Sequence, residues 1–225
     1  MGGDFIRMTM TDGAEIAVYH AEAQGQRRGG LVVIQEVFGV NSHIREVCDG
    51  YAADGYEVLS PALFDREHPG FEVGYDAEGI AAGVRLARGE HPFALTLADT
   101  QTCIDALADK GPVFITGYCY GGSVAWFAAT RLKGLTAASS YYGSLVPGAA
   151  DAVPDCPVIC HFGRNDAGIP MDGVEKLIAA GHPNVEVFVY EAGHGFNCDQ
   201  RADYDAASAT LARARTLQLF MENGG

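Results

Sequence analysis

Gly117-Tyr118-Cys119-Tyr120-Gly121-Gly122 is the stretch that decides how this chain folds. Before it, Pro112-Val113-Phe114-Ile115-Thr116 is a short apolar, β-branched run that reads as a buried strand. After it, Ser123-Val124-Ala125-Trp126-Phe127-Ala128-Ala129 reads as a helix, which places Cys119 at the apex of a tight strand-to-helix turn. That is the setting of a nucleophile elbow, with a thiol where the Gly-x-Ser-x-Gly pattern carries a hydroxyl. Gly117 and Gly121 flank the apex where a side chain would collide with the neighbouring strand and helix. The first amides of the following helix point at the sulfur and favour thiolate over thiol. Most free cysteines are simply small buried apolar residues, so a catalytic role for Cys119 depends on what else the chain brings.

Outward from the elbow, strand-like and helix-like segments alternate. Met1 to Thr11 and Glu15 to His20 read as two strands joined by a turn at Thr11-Asp12-Gly13. Leu31-Val32-Val33-Ile34 is a continuous apolar run, as expected of a central strand covered on both faces. It leads into Gln35-Glu36-Val37-Phe38-Gly39-Val40-Asn41, and Asn41 or Ser42 is placed to cap a helix through about Asp54. Tyr56 to Leu59 is the next strand, and Phe64 to Gly74 is irregular. Helices are expected over Asp76 to Arg88 and Phe93 to Ala108, the latter with Phe93, Leu97, Ile104 and Leu107 at near-helical spacing. Beyond the elbow come strands at Leu135 to Tyr142, Pro157 to Phe162 and Val185 to Tyr190, and helices at Met171 to Ala180 and Asp203 to Met221. Such alternation predicts an α/β fold, a mainly parallel sheet with helices on both faces. With no internal repeat, low-complexity tract or linker, the expectation is one domain over residues 1–225.

Composition narrows the function. A hydrophobic content of 48% excludes a disordered chain, and no apolar run is long enough to cross a bilayer. The N-terminus carries Asp4 and lacks the apolar core of a secretory signal. The six cysteines show no framework spacing, so reduced thiols and a cytoplasmic location are expected. Cys156, Cys160 and His161 lie around a strand without a second ligand pair, which argues against zinc; no metal and no cofactor is expected. A net charge of −14 argues against nucleic acid and anionic membranes as partners. The expected partner is a small molecule, bound by a monomer or weak homo-oligomer, and an acidic substrate would need a local cationic pocket.

Three groups each follow an expected strand, at its carboxyl end, where open α/β sheets place their sites. They are Cys119, Asp166 in Gly163-Arg164-Asn165-Asp166, and His194 between Gly193 and Gly195. Their order is nucleophile, acid, histidine, which is the α/β-hydrolase order. A sulfur attacks a carbonyl only as thiolate. An imidazole shuttles a proton near neutral pH, and a carboxylate fixes its tautomer. Asp166 could alone be a turn residue and His194 a surface one; the three together are much harder to dismiss. A thiol redox role is less favoured, because no Cys-x-x-Cys accompanies Cys119.

Gly-Tyr-Cys-x-Gly-Gly, with Gln35 to Asn41, Tyr141-Tyr142-Gly143 and Ala192-Gly193-His194-Gly195-Phe196, resembles the dienelactone hydrolase (carboxymethylenebutenolidase) family through nearly the whole chain. The resemblance implies an α/β-hydrolase fold with about eight strands and a Cys119, His194 and Asp166 triad. It implies hydrolysis of a lactone through a thioester, with Glu36 contacting the cysteine and helping to generate its thiolate when substrate binds. A glutamate after a buried strand in an apolar stretch fits that role, because an unpaired charge there would be costly. The oxyanion hole is expected from the backbone amides of Val37 and Tyr120. The family carries an arginine a few residues after the histidine; here that position holds Cys198, and Arg201 is the displaced candidate. A second family arginine has Arg85 or Arg88 as its counterpart. Tyr142 and Phe38 are the aromatic pocket candidates, and Trp126 is expected in the core. The other function classes open to the chain are a cysteine hydrolase of another activated ester and a non-catalytic binding protein.

Overall fold

The computed structural model describes residues 2–225; Met1, at the head of the expected first strand, lies outside them. Among the described residues eight strands form one sheet: β1 (Asp4–Thr9), β2 (Glu15–Ala21), β3 (Gly29–Ile34), β4 (Tyr56–Pro61), β5 (Val113–Tyr118), β6 (Ala137–Tyr141), β7 (Val158–Gly163) and β8 (Val185–Tyr190). Their spatial order is β1-β2-β4-β3-β5-β6-β7-β8. β2 pairs antiparallel with β1 and β4, and every other pairing is parallel. The helices are α1 (Ser42–Ala53), α2 (Ala77–Arg85), α3 (Phe93–Ala108), α4 (Tyr120–Arg131), α5 (Met171–Ala180) and α6 (Ala206–Glu222).

β3, β5, β6 and β7 are buried along their whole length, which is why three of them read as apolar runs. β6 contains two serines instead, and its pleat explains how they are tolerated. Ser139 and Tyr141 turn toward α6, where the Thr216 hydroxyl meets theirs at 2.8 and 2.9 Å. Ser140 turns the other way and donates to the Gly122 carbonyl of α4 at 2.8 Å. Helices therefore cover both faces. α1 joins α6 through an Arg213–Asp54 ion pair at 2.6 Å, and α3 joins α4 through the Thr96 and Tyr120 hydroxyls, also 2.6 Å apart.

Local chemistry sets the helix ends. Asn41, not Ser42, caps α1, its side chain accepting from the Ile44 amide at 3.2 Å. Asp76 caps α2 through the Gly79 amide at 2.7 Å. The helix expected to run to Arg88 is α-helical only to Arg85 and continues as a π turn over Leu86–Glu90. The last helix starts at Ala206, later than expected, because the Asp205 carboxylate accepts from the Ser208 amide at 2.8 Å. A short 3-10 turn at Pro147–Ala149 was not foreseen from the pattern. The carboxyl ends of β3, β5, β7 and β8 lead into the segments carrying Glu36, Cys119, Asp166 and His194.

Candidate active site

Cys119 has φ 55° and ψ −110°, a left-handed conformation that non-glycine residues rarely adopt. Its amide donates to the Tyr141 carbonyl of β6 at 3.0 Å, which pins the turn to the sheet. A Cβ on Gly117 would run into the Gly121 backbone, and one on Gly121 would meet the Ile34 and Gln35 carbonyls leaving β3. Both glycines thus let the elbow pack backbone to backbone, and the strain is concentrated on the residue whose side chain must be presented.

His194 and Asp166 come to the same end of the sheet. The Cys119 Sγ lies 3.1 Å from His194 Nε2, and His194 Nδ1 lies 2.6 Å from Asp166 Oδ2. Asp166 is 4% exposed, and its Oδ1 accepts from the Gly168 amide at 2.8 Å, which fixes the carboxylate plane. Burial works against charge on His194, but its hydrogen bonds to Asp166 and Cys119 outweigh that and push it up to about 10. The geometry is that of an imidazole bridging a sulfur and a carboxylate.

These three line a cleft of about 370 Å³. Val37 and Tyr120 also line it. Tyr120 is the first residue of α4, so its amide is among those a helix leaves unpaired, and Val37 follows β3 in a loop. The phenol of Tyr120 is held away by Thr96. α2 presses on the Val37 loop: a Cβ on Gly83 would run into the Val37 carbonyl.

Glu36 is 1% exposed and stands behind Arg201, whose Nη1 donates to Glu36 Oε1 at 3.2 Å. Glu36 Oε2 is buried with no partner. The Arg201 guanidinium lies 5.7 Å from the centre of the Phe38 ring and 6.0 Å from that of Tyr75. Tyr75 is itself held by Asn41, whose side-chain amide donates to the phenol at 2.9 Å. Burial opposes the Arg201 charge, and Glu36 restores it. Gly195, at φ +80°, makes room for this arginine, since a Cβ there would lie 2.7 Å from its Cζ.

Two residues expected at the pocket are elsewhere. Arg85 is exposed and pairs with Glu90 at 2.9 Å. The cleft takes Ile80, Val84, Ala87 and Arg88 from this segment, and Arg85 sits roughly 100° around the helix from Val84. Tyr142 does not reach the cleft either. Its φ of 37° turns it under the site, where it is fully buried, edge-on to His194 at 5.2 Å. Its phenol has no partner. Arg88, Arg201 and Phe38 do line the cleft, and Trp126 is in the core. Leu145, Asn165 and Asp203 also line it, with no local signal in the sequence to mark them.

Potential metal donors lie to one side. Cys160 and His161 are neighbours on β7 and so face opposite ways. The Asp199 carboxylate, the Cys198 thiol and His43 bring one donor atom each within 4.8 Å of one another. In this group His43 Nδ1 is 3.2 Å from Asp199 Oδ1, and burial pushes the Cys198 thiol up to about 11. All six cysteines are free. No helix among the described residues is long and apolar enough to cross a membrane.

The parallel sheet, the strained cysteine elbow and the Asp–His–Cys row at the strand ends define an α/β hydrolase. The family model for the dienelactone hydrolase family matches residues 16–224. A relative from Synechocystis sp. named "Putative carboxymethylenebutenolidase" is 37% identical, over 92% of this chain and 91% of its own. One of the same name from Escherichia coli is 31% identical, over 96% and 85%. The crystal structure of a "Putative Dienelactone Hydrolase" from Klebsiella pneumoniae superposes with a TM-score of 0.83 at 31% identity, covering 99% of this chain and 100% of that one. The chain belongs to the dienelactone hydrolase family, and it is a hydrolase of carboxylic esters or lactones.

Proposed function

We propose that the protein opens dienelactones (4-carboxymethylenebut-2-en-4-olides) to maleylacetate, with Cys119 as nucleophile, His194 as proton shuttle and Asp166 as the carboxylate that orients it. The observation that carries this reading is the 3.1 Å contact of Cys119 Sγ with His194 Nε2, continued at 2.6 Å to Asp166, on the floor of a cleft that also holds Arg88 and Arg201. His194, raised by its hydrogen bonds to Asp166 and Cys119, is placed to hold a proton at Nε2 beside the sulfur.

Thiolate attack on the lactone carbonyl forms the C–S bond and puts negative charge on the carbonyl oxygen. The Val37 and Tyr120 amides are the donors available to that oxyanion. The ring C–O bond then breaks, the carbonyl reforms as a thioester, and the enolate leaves. An enolate departs without prior protonation, so a thiolate nucleophile suffices. His194, having passed its proton to the leaving oxygen, next takes one from water. The resulting hydroxide attacks the thioester, the C–S bond breaks, and the acid is released with sulfur restored.

Glu36 and Arg201 couple this chemistry to binding. A substrate carboxylate competes with Glu36 for the Arg201 guanidinium, and Arg88 adds charge at the cleft. Glu36 makes no hydrogen bond to Cys119 while it holds Arg201; a Glu36 carboxylate deprived of that partner is costly in a buried site, and by turning toward the sulfur it takes the thiol proton. Binding of the right anion and generation of the nucleophile become one event.

The test is hydrolysis of cis- and trans-dienelactone by the wild type and by Cys119→Ala. Turnover by the wild type that is lost in the variant is the expected result. Wild type that leaves both lactones intact, yet cleaves p-nitrophenyl acetate in a Cys119-dependent way, would retain the nucleophile and reject the substrate.

A further inference from the structure

The cleft is larger than the lactone, and one wall of it is apolar. A dienelactone has about ten non-hydrogen atoms, which at organic-crystal packing density occupy on the order of half of the cavity; the cavity measures about 370 Å³. Space remains for roughly as many atoms again. One side of that space is built by Ile80, Val84 and Ala87, which recur along α2 and the π turn at spacings of four and three. Leu145, in the loop after β6, contributes to the same cavity. Ile80 and Leu145 are 41% and 45% exposed, and both border this one cleft, so their open surface is apolar surface offered to whatever enters it. The π turn matters here because such turns redirect side chains within a helix and recur at functional sites.

Resting on the hydrolase reading above, we propose that the site takes an ester or lactone whose acyl portion carries an apolar arm of about four to eight carbons, packed against Ile80, Val84 and Ala87 and against Leu145. Ile80 and Leu145 are the specificity-determining residues. The acyl portion is the part retained on Cys119 through both half-reactions, so packing of its arm acts on acylation and on hydrolysis of the thioester alike. The arm lies in the open part of the cleft, where its methylenes leave water as they enter.

The experiment is a series of p-nitrophenyl alkanoates from acetate to octanoate, with kcat/KM measured for the wild type, Cys119→Ala, Ile80→Asn and Leu145→Asn. The leaving group is constant, so the trend reports the arm. For the wild type, kcat/KM is expected to rise roughly two- to four-fold per methylene until the cleft is full. Each asparagine variant is expected to flatten that slope; both positions are exposed, so the variants fold. Cys119-dependent acetate cleavage with a flat or falling series overturns the arm and leaves the hydrolase reading standing. A rising series that both asparagine variants retain in full overturns the assignment to Ile80 and Leu145. If Cys119→Ala cleaves the whole series as fast as the wild type, the hydrolase reading fails and the arm falls with it.

Discussion

Replacing Arg201 with methionine keeps much of the side chain's length and removes the charge that Glu36 Oε1 meets at 3.2 Å. Glu36 is 1% exposed, and its other oxygen already lacks a partner, so the carboxylate left behind has no compensation within reach. Breaking a buried pair from one side costs about 3–5 kcal/mol. Arg201 keeps 15% of its side chain exposed to the cleft, and water entering there offsets part of the loss, which places the expectation near the low end. About 3 kcal/mol corresponds to a melting point lower by about 6–12 °C for a chain of this size. Glu36→Gln removes the charge that the methionine variant strands, so the double variant is expected to regain about 2 kcal/mol relative to the sum of the single effects. Urea unfolding of the four proteins at pH 7 measures the cycle. A loss below about 1 kcal/mol for Arg201→Met, as for an exposed pair, or strict additivity in the double variant, would refute the reasoning that Glu36 depends on Arg201.

Asp166→Asn keeps the shape of the row while giving His194 Nδ1 an amide partner, so kcat is expected to fall about 10²–10⁴-fold with KM little changed; steady-state kinetics on a Cys119-dependent ester checks this, and a loss under tenfold would count against Asp166 as the orienting group. His161 is fully buried between Tyr190 and Thr216, and burial, with Arg215 adding to it, pushes it down to about 3. The folded form therefore stays neutral while the unfolded chain takes a proton below its ordinary value, so stability is lost as pH falls from about 6.5 toward 3, by at most about 1.4 kcal/mol per pH unit. Urea midpoints between pH 7 and 4.5 should drop more steeply for the wild type than for His161→Gln; parallel curves would contradict the assignment. Gly121→Ala forces a Cβ against the Ile34 and Gln35 carbonyls, and because backbone cannot swing aside, a loss of about 3 kcal/mol is expected; a variant with an unchanged thermal midpoint would show that the elbow has slack.

The elbow was legible because its information is local. A strand, three glycines at fixed offsets and a helix occupy fewer than two dozen residues, and each glycine answers to a backbone contact. Asp166 and His194 were legible for a related reason: each follows a strand that the sequence itself marks, and a parallel sheet delivers such ends to one edge. The Glu36–Arg201 pair was only half visible. The buried strand before Glu36 signalled a need for compensation, but its partner is 165 residues away, and nothing near Glu36 names it. Arg85 and Arg88 could not be separated by composition; the helical phase and the π turn separate them, and only Arg88 reaches the cleft. Tyr142 follows a strand whose carboxyl end lies at the site, but its φ is positive and its ring is buried edge-on to His194, outside the cleft lining. α6 starts at Ala206 and not at Asp203 because the cap that forms is the Asp205 side chain on the Ser208 amide, a hydrogen bond that composition alone does not show.

The contact between Gly83 and the Val37 carbonyl has a consequence for how this scaffold can change. The wall contributed by α2 and the loop carrying Val37 meet there without a side chain between them, so neither moves without the other. On the proposed role of the Val37 amide as an oxyanion donor, remodelling that enlarges the cleft by shifting α2 is expected to disturb that donor, so a broader substrate range gained on that side would come with slower turnover. Leu145 differs in that its half-exposed side chain can be exchanged without moving backbone, although its loop too is tied to the elbow helix, through the Leu145 amide and the Ser123 hydroxyl. In a library selected for new esters, adaptive substitutions should therefore accumulate first around Leu145, with the α2 backbone left as the inherited constraint.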